Sequence, residues 1–172
     1  MSIVKLRWED SNDVFEVDRE AIELSGFVSM ILEELPSVEE LQDTPILEEA
    51  ILIKNGIKRS TLVKVIEFCE YHKENPLEDI EKPLRTNDLS QILSPWYFDF
   101  QNIKIEELFE LTNAANYLDI KPLLELTCAS VAAQMKGKSI EEIRELFNIE
   151  NDFTPEEEAQ ILEENKWAEE AI

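Results

Sequence analysis

Few residues in this chain could do covalent or metal chemistry, and their spacing fits no reaction centre. Gly137-Lys138-Ser139 imitates the end of a phosphate-binding loop, whose amides and lysine cradle a nucleotide's phosphates. Such a loop needs a glycine five positions before Gly137, where Ala132 stands, and the stretch follows a helical pattern rather than a strand. Asn148, Glu150 and Asp152 have calcium-loop spacing, but Phe153 occupies the glycine position and Ala159 the position of the bidentate glutamate. His72 is the single histidine and has no thiol pair at metal spacing beside it, so it reads as a helix-end residue. Glu156-Glu157-Glu158 point to different sides of a helix and form a solvated face, not an acid/base pair. No serine or cysteine lies in a nucleophile motif. The expectation is a binding protein rather than an enzyme, with no catalytic residue, no metal and no cofactor.

Recognition by apolar surface is the chemistry that remains, and it concentrates in residues 137–167. Ser139-x-x-Glu142 and Thr154-x-x-Glu157 are capping boxes, in which hydroxyl and carboxylate satisfy each other's backbone amides at a helix start. Gly137 suits the left-handed end of a preceding helix, and Pro155 the first position of the next. Two short helices cannot enclose a core of their own. Yet the segment carries Ile143, Leu146, Phe147, Ile149, Phe153, Ile161, Leu162 and Trp167. Some of these side chains are expected to be kept for another protein. On spacing alone Phe147, Ile149 and Trp167 favour core packing, since aromatic residues at helical spacing are usually internal.

The preceding elements must position this tail. Ile3 to Trp8 and Val14 to Asp18 alternate as two strands of a hairpin. Ala21 to Leu24 reads as a short helix ended by Gly26. Phe27, Met30, Ile31, Leu32 and Leu35 form the stripe of a helix stopped by Pro36. Ser37-x-x-Glu40 could cap one further turn through Leu41, residues 46–50 are ambiguous, and Ile51-Leu52-Ile53 is a third strand closed by Asn55-Gly56. Residues 60–72 form a helix with Leu62, Val65, Ile66 and Cys69 as its stripe. Residues 74–95, with three of the seven prolines and many charges, read as a mobile loop. Trp96 and Phe100 begin the second half, and Ile105, Leu108, Phe109, Thr112, Ala115 and Leu118 line the next helix. Pro122 opens a helix that is apolar on two sides, with one row of Leu124, Cys128, Val131 and Met135 and another of Leu123, Leu126, Ala129 and Ala133, which predicts a sandwiched position.

Composition narrows the partners. The 172 residues include 39 acids and 16 bases, a net charge of −23. That field repels phosphate backbones and anionic membranes, so neither nucleic acid nor membrane is an expected partner. Cys69 and Cys128 both lie in apolar helical patterns and are expected to be reduced and buried, although the sequence leaves a disulfide open. With no signal peptide and no apolar run long enough for a bilayer, the expected location is intracellular, in cytoplasm and nucleus.

Several stretches resemble one family. Leu108-Phe109-Glu110-Leu111, the run from Ala114-Ala115-Asn116-Tyr117 to Lys121, Phe147-Asn148-Ile149-x-Asn151-Asp152-Phe153-Thr154 and Asn165-x-Trp167 are similar to the S-phase kinase-associated protein family, the F-box-binding adaptors of SCF-type cullin-RING ubiquitin ligases. Val14 to Asp18 and Val65-Ile66-x-Phe68-Cys69 extend the likeness into the first half. The resemblance implies an α+β, mostly helical fold. A BTB/POZ-like cullin-binding domain with a small three-stranded sheet would span 1–136, and a C-terminal extension of F-box-binding helices 137–172. It implies a non-catalytic adaptor that links F-box proteins to a cullin. Carried over, Asn116 and Tyr117 are cullin contacts, and Leu124, Val131, Met135, Phe147, Ile149 and Trp167 are F-box contacts. The chain departs from the pattern across residues 36–55, where the family has an acidic loop and a proline-containing strand. Leu162 and Glu163 also stand where many members place basic residues, and Ala129, Ala133 and Gln134 differ from common choices. The competing reading is a structural BTB-like homodimer or assembly subunit that uses the same apolar tail without a ligase role; for the adaptor itself, a homodimer is an expected state when no F-box partner is present.

Overall fold

A computed structural model describes residues 3–8, 13–34, 50–54 and 56–166. The chain divides into two compact units, Met1–Lys136 and Gly137–Ile172. The architecture is α+β and mostly helical, with eight α-helices and one three-stranded sheet among the described residues.

In the first unit, strand β1 (Ile3–Trp8) lies at the centre of the sheet. It pairs antiparallel with β2 (Val14–Asp18), Leu6 opposite Phe15, and parallel with β3 (Ile51–Ile53), Leu6 opposite Ile51. Alternation sends Val4, Leu6, Val17 and Ile53 to the buried face. A parallel neighbour requires a crossover, and helices α1 (Arg19–Ile22) and α2 (Gly26–Glu34) lie within it. Asp18 caps α1 by accepting from the Glu20 amide and also pairs with Lys73. That hydrogen bond from Lys73 holds the Asp18 carboxyl below its ordinary range.

Helix α3 (Arg59–Glu74) is the centre of the core. Leu62, Val65, Phe68 and Cys69 are fully buried on it. Beyond it run α4 (Pro95–Gln101), α5 (Ile105–Tyr117) and α6 (Lys121–Met135). α4 is capped by Ser94 and carries Pro95 in its first turn. Its aromatic side chains meet those of α3. Trp96 stacks on Tyr71 at 3.6 Å and on Phe100 at 4.9 Å, and Phe68 touches Phe100 at 5.6 Å.

His72 lies in this cluster, 4.5 Å from the Phe68 ring and 5.4 Å from the Tyr97 ring. Its Nδ1 faces the Asn75 carbonyl at 3.1 Å, which makes Nδ1 the donor, while the buried Nε2 has no hydrogen-bond partner. Burial therefore depresses the imidazole pKa below 6.5. A base depressed in the folded state contributes full stability above its unfolded pKa and loses it as pH falls from that value through the lower folded one. The melting temperature should be level near pH 8 and fall as pH drops below about 6.5. His72→Phe should flatten that part of a calorimetric pH series, leaving the decline below about pH 5 that comes from carboxylates.

Four local expectations need correction. Gly26 does not end a helix; it begins α2, because an added Cβ would sit 2.2 Å from the Asp119 carboxylate. On α2 the buried residue is Val28, whereas Met30 faces solvent. On α5 the buried face is Leu108, Leu111, Ala114 and Ala115, which turns Phe109 outward. Residues 74–95 are pinned rather than loose. Ile80, Leu89 and Leu93 enter the core, Glu78 accepts from the Ser94 amide at 3.1 Å, and Asp88 caps a 3₁₀ turn at Leu89–Gln91. Prolines and charges suggested a mobile loop, but apolar residues spaced along it anchor it. The stretch from Leu35 to Glu49 lies outside the described residues, and so do the proposed Pro36 stop and the turn capped by Ser37.

Candidate functional site

Helix α6 separates two faces. Leu123, Leu126, Thr127, Ser130 and Ala133 are buried, and the two hydroxyls are satisfied by backbone carbonyls of their own helix, Thr127 to Leu124 at 3.1 Å and Ser130 to Leu126 at 2.8 Å. The other row is open. Leu124 and Val131 are half-buried, and Cys128 and Met135 are exposed. At i, i+4, i+7 and i+11 these four lie on one face over roughly 16 Å of helix. Within its unit the helix is thus buried on one side. Cys128, expected in the core, is exposed because it belongs to the open row, and Cys69 is buried. Both thiols are free. Burial pushes the Cys69 thiol up to about 12, which removes it as a nucleophile.

In the second unit, Gly137 has φ +79° and α7 (Ile140–Phe147) follows it. Both halves of the Ser139 capping box are made, with Glu142 accepting from the Ser139 amide at 2.8 Å. α7 ends on Asn148 in the left-handed region, φ +51°. The Thr154 box then opens α8 (Pro155–Glu164), and its backbone and hydroxyl bonds hold the Glu157 carboxyl below the usual range. Arg144 on α7 pairs with Glu158 on α8 at 2.9 Å, and Asn151 donates to the same carboxylate at 3.3 Å. Polar bonds thus join the two helices to each other. Neither helix contains a buried residue. Ile149 is 54% exposed, Phe153 48% and Leu162 46%, and Ile140 and Ile161 are exposed too, while Phe147 is half-buried. Leu162 therefore adds apolar surface rather than core. Trp167 lies outside the described residues.

Asn116 and Tyr117 end α5, with Asn116 exposed and Tyr117 half-buried against the Phe27 ring at 5.1 Å. The turn after them is tied to the start of α2. Ser25 Oγ donates to the Leu118 carbonyl at 2.6 Å, and the Gly26 and Phe27 amides donate to Asp119 and Leu118 at 3.1 and 3.3 Å. Asp119 takes φ +49° to make this approach. Ser25 and Phe27 thus position Tyr117, a role sequence reasoning missed. Ser25-Gly26 looks like an ordinary helix end, and nothing local signals a partner 93 residues away.

Among the described residues, no group of three or more His, Cys, Asp or Glu side chains could hold a metal ion, and no helix is long and apolar enough to cross a membrane. What the geometry offers is apolar surface, on the open row of α6 and on α7, α8 and their linker.

Comparison with known proteins gives this surface a context. Residues 2–74 match a POZ-type family model described as the Skp1 family, tetramerisation domain, and residues 121–168 match one described as the Skp1 family, dimerisation domain. The chain is similar to the S-phase kinase-associated protein 1 homolog of Tetrahymena thermophila, with 48% identity over 93% of this chain and 90% of the relative. It is 44% identical to the E3 ubiquitin ligase complex SCF subunit sconC of Talaromyces marneffei over 96% of each chain. It is 41% identical to the SCF ubiquitin ligase complex protein SKP1a of Dictyostelium discoideum, over 98% of this chain and 97% of the relative. Matches of this extent at both ends of the chain, on a POZ-type α+β fold followed by two capped helices, place it in the Skp1 family.

Proposed function

We propose that this chain is the adaptor subunit of an SCF-type ubiquitin ligase, linking F-box substrate receptors to a cullin. One observation carries the reading: α7, α8 and the linker between them leave large apolar side chains uncovered, and the outer row of α6 is likewise open. Leu124, Val131 and Met135 on the first unit and Phe147, Ile149 and Trp167 on the second are assigned to the F-box. Asn116 and Tyr117 are assigned to the cullin. The adaptor does no bond chemistry. It holds a receptor at a fixed distance from the ligase's catalytic end, so that proximity of substrate to the charged conjugating enzyme supplies the rate. No cofactor enters this role. The same uncovered side chains support a second reading, in which the tail pairs with itself as a homodimer in the absence of an F-box partner.

The two surfaces should be separable. Asn116→Ala with Tyr117→Ala is expected to weaken binding of a cullin N-terminal fragment by roughly 30-fold or more, the loss of about 2 kcal/mol typical of an aromatic anchor. Affinity for an F-box domain should stay within about twofold, because neither residue belongs to the surface assigned to the F-box, and loss of the Tyr117 ring's packing on Phe27 should register as lower stability instead. Unchanged cullin affinity, measured by calorimetry, would reject the assignment.

A further inference from the structure

An open cleft of about 700 Å³ lies between residues 80–84 and α6, within the usual range of binding pockets, ~300–1,000 Å³. Its surface is mainly Ile80, Pro83, Leu84, Leu124, Cys128 and Ala129. The ammonium groups at its rim are already engaged. Lys82 pairs with Glu125 at 2.7 Å, and Lys136 donates to the Leu84 and Arg85 carbonyls at 2.6 and 3.1 Å. These bonds hold the segment against the helix and leave an occupant chiefly methyl and methylene groups to meet. A charged ligand would gain little there and would lose its hydration.

The cleft is continuous with the surface assigned above to the F-box. Leu124 and Cys128 line it, and the same two residues begin the open row that runs on to Val131 and Met135. A partner helix laid along that row presents side chains at i, i+3 and i+4 spacing, some of which fall over the cleft. We propose that this cleft is an additional part of the receptor-binding surface. It seats aliphatic or aromatic side chains of the F-box domain, with Pro83 and Leu84 forming a wall that discriminates among receptors. The proposal rests on the adaptor reading. It also gives the anchored 80–84 segment a role that its proline and charge content does not suggest.

The test uses the full chain with ¹³C-labelled isoleucine, leucine and valine methyls, titrated with a purified recombinant F-box domain. The Ile80, Leu84 and Leu124 methyl resonances should shift on binding. Ala132→Trp, at an exposed position on the cleft wall, should lower affinity tenfold or more. The wild-type methyl shifts do not depend on how that variant folds. If the domain binds the wild type, the Ile80 and Leu84 methyls stay still and Ala132→Trp binds within about twofold, the cleft proposal is overturned and the adaptor reading stands. If the domain does not bind the wild type at all, the adaptor reading fails and takes the proposal with it. Concentration-dependent shifts of the Leu84 methyls without any F-box domain would assign the cleft to a second copy of this chain and overturn the proposal.

Discussion

A chain carrying Phe147→Ala and Ile149→Ala should bind an F-box domain about a hundredfold more weakly than the wild type. Full burial of one large apolar side chain stabilises by roughly 1.5–3 kcal/mol. Ile149 has more than half its surface to bury, whereas Phe147 is already half-covered and contributes less. Together they should be worth about 3 kcal/mol, the lower end of what two such anchors supply. Neither residue is buried within α7 or its linker, so helix content and thermal unfolding should change little. Calorimetric titration reads the effect directly. Binding within about threefold of wild type would mean that these side chains serve the fold and not a partner.

The largest effect on stability should come from Phe68→Ala. Phe68 is fully buried on α3, and its ring lies within about 6 Å of those of His72, Tyr97 and Phe100. Truncation removes the burial of an aromatic ring and leaves a cavity among other rings that cannot collapse without breaking their stacking. Such substitutions cost about 3–5 kcal/mol, a large share of the roughly 5–15 kcal/mol that keeps a domain folded. Urea denaturation should show a midpoint lowered in proportion, with little change in slope. A loss under about 1 kcal/mol would show that α3 and α4 are not the centre of the core. The outward-row change Met135→Ala should be nearly silent in the same assay.

Where interactions are local, the sequence was a reliable guide. The two capping boxes, Gly137 after α6, Pro155 at the start of α8 and the hairpin of β1 and β2 follow from residues within a few positions of each other. Each error concerns something distant. Gly26 is required by Asp119, the outward turn of Phe109 follows from the neighbours α5 packs on, and Cys128 is exposed because it lies on the row of α6 that faces away from the buried one. Helical periodicity shows that α6 has two apolar rows but not which one the core will use. The same limit applies to residues 74–95, where proline and charge marked a loop but only the fold reveals Ile80, Leu89 and Leu93 as anchors. For the partner surface, spacing alone favoured core packing for Phe147 and Ile149. The resemblance to a family supplied their assignment, and the uncovered surface of the second unit supports it.

The central claim is that one chain engages two partners through two different surfaces. Light scattering on this chain mixed with a purified F-box domain and a cullin N-terminal fragment tests it most directly. A single species with the summed mass of one copy of each is the predicted result, with no dimer of this chain remaining. A homodimer that persists at saturating F-box domain, or two partners that displace each other, would contradict it.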